Sequence, residues 1–357
     1  MQTPEERIEA IEQEIRETPY HKATQHHIGR LRARIARLKD EIIQKSAKGK
    51  GGGGEGFAQR KYGDATVVLV GFPSVGKSTL LNKLTNAQSK VAAYDFTTLE
   101  VIPGMMDYQG AKIQIFDVPG IISGASGGKG RGKEILSVAR VTDLIILMVD
   151  AANLSQLEQI RHELQEVGIR LNKTEPEITI NRKLKGGVKV ISPSFDPQTA
   201  AEIAKEFRVT NAEIIIKGKV THEDFIDVLL GNRIYLPGLV IVNKIDLLPE
   251  ANLSVADGAI LISAEKGIGT DKLKGKIWEK LGLMGIFLKP QGEPADLENP
   301  LIIRDGSTVW EAAGKIHGEL AKDIKSAQIW GKSAKFPGQT VSLTHKLEKG
   351  DIITFLK

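Results

Sequence analysis

No cysteine occurs among the 357 residues. That excludes disulfides, thiolate metal sites and thiol nucleophiles, and it suits a reducing compartment. Aromatic residues are scarce at 5%, and no apolar run approaches the roughly 18 residues of a membrane span. The opening stretch MQTPEERIEA is charged and lacks the apolar core of a signal peptide. The expectation is a cytoplasmic protein with no membrane association. Charge, by contrast, is abundant: 49 Lys and Arg stand against 44 Asp and Glu, a net +5. This mild excess fits a polyanionic partner and equally fits the lysine-rich surface of a soluble enzyme. At 41% hydrophobic content the chain is globular, and its length calls for roughly two to four folded units.

Residues 1–50 read as two helices. Thr3, Pro4 and Glu6 form a capping-box start, with Ile8, Ile11 and Ile15 on one face. Ile28, Leu31, Ile35, Leu38 and Ile42 then repeat at alternating spacings of three and four. The first helix is acidic (Glu5, Glu9, Glu12, Glu14) and the second basic (Arg30, Arg32, Arg34, Arg37, Lys39). Either the two faces pair in a helical hairpin or surplus arginines reach RNA phosphates, and the two readings are compatible. The glycine-rich stretch 51–64 reads as a linker.

From Ala65 onward, β-branched runs alternate with helical stretches, the signature of a mostly parallel sheet covered on both faces. This α/β domain takes 65–168 and 226–285. The connection between its halves is too long for a loop, so 169–225 is expected to be an inserted α+β subdomain. Its strands are anticipated in EITINRKL, GVKVIS and AEIIIKG, its helices in QTAAEIAKEF and HEDFIDVLL. Residues 286–357 follow the order of a small β-grasp fold, with a helix opened by the capping box of Thr308 and Glu311.

GFPSVGKSTL starts where the first strand ends and enters a helix, as a phosphate-binding P-loop must. Gly71 and Gly76 let the backbone wrap a phosphate, and the amides from Val75 through Gly76, Lys77 and Ser78 to Thr79 point inward. Lys77 is placed to bridge outer phosphates and the Ser78 hydroxyl to bind Mg²⁺. Between this loop and DVPG, Thr98 (preferred over Thr97) is the candidate to close on Mg²⁺ and the γ-phosphate. Asp117 would hold Mg²⁺ through water, and the Gly120 amide would sense the γ-phosphate. NKID at 243–246 supplies the base: the Asp246 carboxylate accepts from guanine N1–H and N2, donors adenine does not offer there. Asn243 supports the loop and the Lys244 stem covers a ring face. In the following ISA, Ser263 and Ala264 complete the pocket, with the Ala264 amide expected at guanine O6. A P-loop ATPase or kinase is disfavoured by the same Asp246. His26 and His27 read as surface residues, and Trp278, Trp310 and Trp330 as core or surface packing.

These motifs, with GEGF, YDFTTLE, GNRIYLP and IWGKSAKFPGQTVSLTH, make the chain resemble the developmentally regulated GTP-binding proteins of the Obg-related translation-factor GTPases over nearly its whole length. The resemblance implies a P-loop GTPase domain binding GTP or GDP with Mg²⁺, a helical hairpin, an insert like a ribosomal-protein domain and a C-terminal TGS domain. It further implies a switch on ribosomes or ribosomal RNA and a protein partner, with no DNA or membrane partner. The alternative is an RNA- or ribosome-binding module whose GTP is mainly structural, suggested by Lys173, Arg182, Lys183, Lys185 and Lys189. Ile121 follows DVPG where a water-orienting polar residue is usual. Relatives with an apolar residue there often use a bound K⁺, which in the best-known cases is held by a P-loop Asn where this sequence has Ser74. Slow intrinsic hydrolysis, accelerated by K⁺ or by a group supplied in trans, is therefore expected.

Overall fold

The computed structural model describes residues 3–21, 24–48, 63–85, 92–93, 100–118, 131–247 and 258–356. The described residues form two compact units, divided at Leu236/Pro237 on the C-terminal side of the insert.

One unit is built on a seven-stranded sheet. Its order is Ile260–Leu261, Gly238–Asn243, Leu144–Asp150, Ala65–Val70, Ala111–Asp117, Glu100–Tyr108 and Ala92–Ala93. The first five strands are mutually parallel and the last two antiparallel. Ala65–Val70 is buried at every position, which is why it reads as a continuous apolar run rather than an alternating one. Glu100–Tyr108 was not anticipated as a strand, because Pro103 and Gly104 interrupt its pattern. Gly104 has a steric reason: a Cβ there would lie 2.7–2.9 Å from the side chains of Thr85 and Leu81.

The same unit carries a five-stranded mixed sheet in the order Asp296–Arg304, Leu283–Leu288, Ile352–Leu356, Ser326–Trp330, Gln339–Val341. The helix Val309–Ile316 opens with the Thr308–Glu311 capping box and buries Val309, Ala312 and Ala313 among Ile286, Ile303, Ile329 and Ile353. Its first strand begins at Leu283, three residues before the expected boundary at 286. Leu283 and Ile302 pack into the core of the larger sheet beside Trp278, so the two sheets share apolar packing. Ion pairs reinforce that seam: Arg304 with Asp143 at 2.5 Å and Lys315 with Asp64 at 2.7 Å.

The other unit joins the N-terminal helices Pro4–Glu17 and Gln25–Lys48 to the insert. Ile8, Ile11, Leu31 and Leu38 form the small core between the two helices. The insert has a three-stranded sheet in the order Ile178–Arg182, Ala212–Ile216, Val188–Ile191, with helices Pro197–Glu206 and His222–Leu230. Its core holds Phe195, Ile203, Ile214 and Phe225, and takes in Ala33 from the N-terminal helix. The boundary expected at residue 225 runs through the helix His222–Leu230, which packs whole into this core because Phe225 and Ile226 face it.

Charge pairing between the N-terminal helices is limited to His27–Glu14 among the described residues. The basic helix instead addresses the insert and its approach: Arg37 donates to the Glu206 carbonyl at 2.6 Å and Lys39 pairs with Glu166 at 2.6 Å. Gly29 permits this contact, since a Cβ there would lie 3.1 Å from Thr199. Where the insert leaves and rejoins the chain, Ile169–Leu171 pairs in parallel with Ile234–Leu236. No described helix is long and apolar enough to cross a membrane.

Candidate nucleotide site

The loops that follow the parallel strands collect at their carboxyl ends, the edge where open α/β sheets bind ligands. The first loop runs from Gly71 to Gly76 and turns into the helix Lys77–Leu84. Gly76 is required twice over. Its φ of +96° is left-handed, and a Cβ would fall 2.4 Å from Asn243 Nδ2. A Cβ on Gly71 would meet the Met148 carbonyl at 2.4 Å. Ser74, exposed in the middle of the loop, also has positive φ, at 63°.

Lys77 is buried, and its ammonium donates to the Gly71 and Phe72 carbonyls, both at 3.0 Å. Desolvation lowers its pKa, opposed by the attraction of Asp117. One residue on, the Ser78 hydroxyl donates to Asp117 Oδ2 at 2.5 Å. Asp117 closes the strand Ala111–Asp117 and is 2% exposed, yet its Oδ1 has no hydrogen-bond partner among the described residues. A buried carboxylate oxygen left open is costly unless something comes to it. Hydroxyl and carboxylate side by side are the donor set of a small hard cation that keeps its remaining ligands from phosphate and water.

The loop that follows the strand Gly238–Asn243 is anchored by Asn243. Its Nδ2 donates to the Val75 carbonyl at 2.8 Å, and its Oδ1 accepts the Ala264 amide at 2.9 Å. One buried side chain thus ties the P-loop to the last base-side loop. The Ala264 amide, expected to face guanine O6, is engaged by Asn243 in this structure; sequence spacing could not reveal a bond between residues 21 apart. Ser263 is fully buried and its hydroxyl accepts the Lys266 amide at 3.2 Å. A hydrogen bond from Ser263, aided by Lys266 at 3.5 Å, holds Asp246 below its ordinary pKa. Lys244, at φ 63°, pairs with Asp150 at 2.7 Å. Burial works against charge on Asp150, but hydrogen bonds from Lys244 and the Ala152 amide outweigh it and leave the pKa lowered. Sequence reading missed Asp150, whose only signal is its place at the end of an apolar strand.

Gly71, Ser74, Val75, Gly76, Lys77, Ser78, Thr79, Asp117, Asn243, Lys244, Asp246, Ser263 and Ala264 all sit at strand ends, on the loops that follow them or at the helix start. Thr98, Gly120 and Ile121 lie outside the described residues, as does most of the expected linker.

A P-loop, an aspartate-ended strand and an Asn-Lys-x-Asp loop on the parallel strands of one sheet, followed by a small mixed sheet, define a P-loop GTPase with a C-terminal TGS domain. The family profile described as "50S ribosome-binding GTPase" matches residues 66–183. The profiles described as "C-terminal region of MMR_HSR1 domain" and "TGS domain" match 185–283 and 284–357. A GTP-binding protein of Methanocaldococcus jannaschii is 52% identical, over 99% of this chain and 92% of its own. Developmentally-regulated G-protein 3 of Arabidopsis thaliana is 43% identical over the full length of both. Among solved structures, the Schizosaccharomyces pombe YchF GTPase shares 18% identity at a TM-score of 0.45, covering 83% of this chain and 99% of that one. The chain belongs to the developmentally regulated GTP-binding protein family, and is a GTP-binding GTPase.

Proposed function

We propose that this GTPase is a nucleotide-dependent switch on the translation apparatus, with Mg²⁺ held at Ser78 and Asp117. The observation that carries the nucleotide chemistry is the open, buried Oδ1 of Asp117 beside the Ser78 hydroxyl. Mg²⁺ bound there would neutralise charge developing on the phosphates. Lys77 exchanges its two carbonyl partners for phosphate oxygens, a charge-assisted bond strengthened by its desolvation. Asp246 reads the guanine edge, while Asn243 keeps the P-loop and base loops in register. By the family resemblance, Thr98 and the Gly120 amide are the groups proposed to sense the γ-phosphate. With Ile121 unable to orient water, intrinsic hydrolysis is slow, and K⁺ near Ser74 or a partner supplies the missing group.

The ribosomal half of the proposal draws on the ribosome-binding description of the matched profile. It draws also on the exposed cations of the insert, where Arg182 and Lys185 form no ion pair among the described residues. A cytoplasmic location follows from such a target. The test is cosedimentation with ribosomes in GDP, in a non-hydrolysable GTP analogue and without nucleotide. The expected result is retention favoured by the GTP analogue and lost in Lys77→Ala. Equal retention in all three states would overturn the switch in favour of a binding module. Turnover in KCl against NaCl at matched ionic strength then identifies the missing group: a K⁺-specific gain assigns it to the cation, equal rates to a group in trans.

A further inference from the structure

We infer that Asp150 is a positioning residue of the nucleotide site, whose carboxylate fixes Lys244 and so sets how firmly the guanine end of the nucleotide is retained. The inference rests on the reading of residues 243–246 as the base-recognition loop. Asp150 is the last residue of its strand and the Cα partner of Asn243 on the neighbouring one. Lys244 is therefore the first residue to leave that strand, and it does so at φ 63°. A left-handed lysine is strained, and such a conformation persists only where its surroundings hold it.

Three contacts do so. The Ala151 amide donates to the Asn243 carbonyl at 2.9 Å, and the Leu247 amide to the Lys244 carbonyl at 3.1 Å. At the far end of the side chain, Lys244 Nζ meets Asp150 Oδ2 at 2.7 Å. Asp150 is itself prevented from rotating, because its Oδ1 accepts the Ala152 amide at 2.9 Å. The side chains of Lys244 and Asp150 are 33% and 17% exposed, so solvent screens this pair less than a surface one. Lys266, the other lysine beside the loop, faces Asp246 instead, leaving Asp150 to serve Lys244.

A lysine stem pinned at both backbone and ammonium offers a fixed row of methylenes to a ring face. Released from Asp150, the same stem samples many rotamers that nucleotide binding must freeze. Removing Asp150 should thus weaken binding through lost preorganisation, with no change in the phosphate contacts.

The experiment measures GDP and GTP dissociation constants on the full chain with fluorescent nucleotides. Asp150→Asn keeps an acceptor for the Ala152 amide while removing the charge; Asp150→Ser replaces it should that variant not fold. Affinity is expected to fall roughly tenfold, equally for GDP and GTP, through faster dissociation. In the double variant Asp150→Asn/Lys244→Met the loss should not exceed that of Lys244→Met alone. Additive losses, a changed GTP-to-GDP ratio or an unchanged affinity in Asp150→Asn would each overturn the inference. Asp246→Asn separates the two levels of argument. If it leaves guanine preference over xanthine intact, the base-loop reading itself fails. If it reverses that preference while Asp150→Asn is silent, only the role of Asp150 fails.

Discussion

Two aspartates, one in each unit, are equally deep and oppositely treated. Asp227, 4% exposed, is clamped by Arg170 through two bonds of 2.6 and 2.7 Å and by Arg233 at 2.9 Å. Asp117, 2% exposed, has one oxygen on Ser78 and the other without a partner among the described residues. A satisfied buried charge is a fixture: through Asp227 the arginines tie the helix His222–Leu230 to the points where the insert departs and returns. A buried charge that the described residues leave half-satisfied is instead placed to take up a ligand. The same side chain at the same depth therefore has different work in the two units, and its partners say which.

The comparison is broken most forcefully at Asp117. Asp117→Asn should lower GTP turnover about a thousandfold, or about 4 kcal/mol in the barrier. Folding stability should stay within about 1 kcal/mol, since Asn keeps an acceptor for the Ser78 hydroxyl and Lys77 keeps its two carbonyl partners. A stopped assay with thermal melts checks both; a large loss of stability with ordinary turnover would reverse the argument.

Asp227→Asn should do the opposite. With both arginines left buried and unneutralised, about 3 kcal/mol of stability is expected to disappear, seen as a lower denaturant midpoint. GDP affinity of the folded protein should remain within about twofold, because no base or phosphate contact is involved. Tyr235 sharpens the case. Its hydroxyl is buried without a partner among the described residues, and burial, with Asp227 nearby, pushes its pKa up to about 12. Tyr235→Phe removes an unsatisfied polar group and should leave stability unchanged or raise it by about 1 kcal/mol; a marked loss would expose a hidden role for the hydroxyl.

This contrast also explains what could be read from the sequence. The P-loop and NKID are compact because each wraps one ligand fragment from a single strand end, so spacing alone identifies them. The capping boxes at Thr3 and Thr308 are legible for the same local reason. The clamp of Arg170 and Asp227 joins residues 57 apart, and nothing in either neighbourhood announces it. Asn243 bonding Ala264, Asp150 holding Lys244 and Ala33 entering the insert's core are likewise products of the fold. The basic helix was open to two partners, the acidic helix or RNA phosphates; the fold adds a third, since Arg37 and Lys39 meet acceptors at Glu206 and Glu166.

The smallest effect is expected where both charges keep alternatives. Along the seam between the two sheets of the nucleotide-binding unit, Asp64 accepts Lys315 at 2.7 Å but also the Lys112 amide at 2.9 Å. Asp143, 6% exposed, accepts Arg304 and the Thr66 amide. Lys315→Ala leaves Asp64 with its amide and with access to water, so a loss of about 0.5 kcal/mol is expected. Arg304→Ala removes the partner of the more buried acid and should cost more, about 1 kcal/mol. Because Leu283 and Ile302 still pack in the shared core, neither variant should split the melting transition in two. Two separate transitions in calorimetry of Lys315→Ala would mean that the ion pairs, and not the apolar packing, join the TGS sheet to the GTPase core.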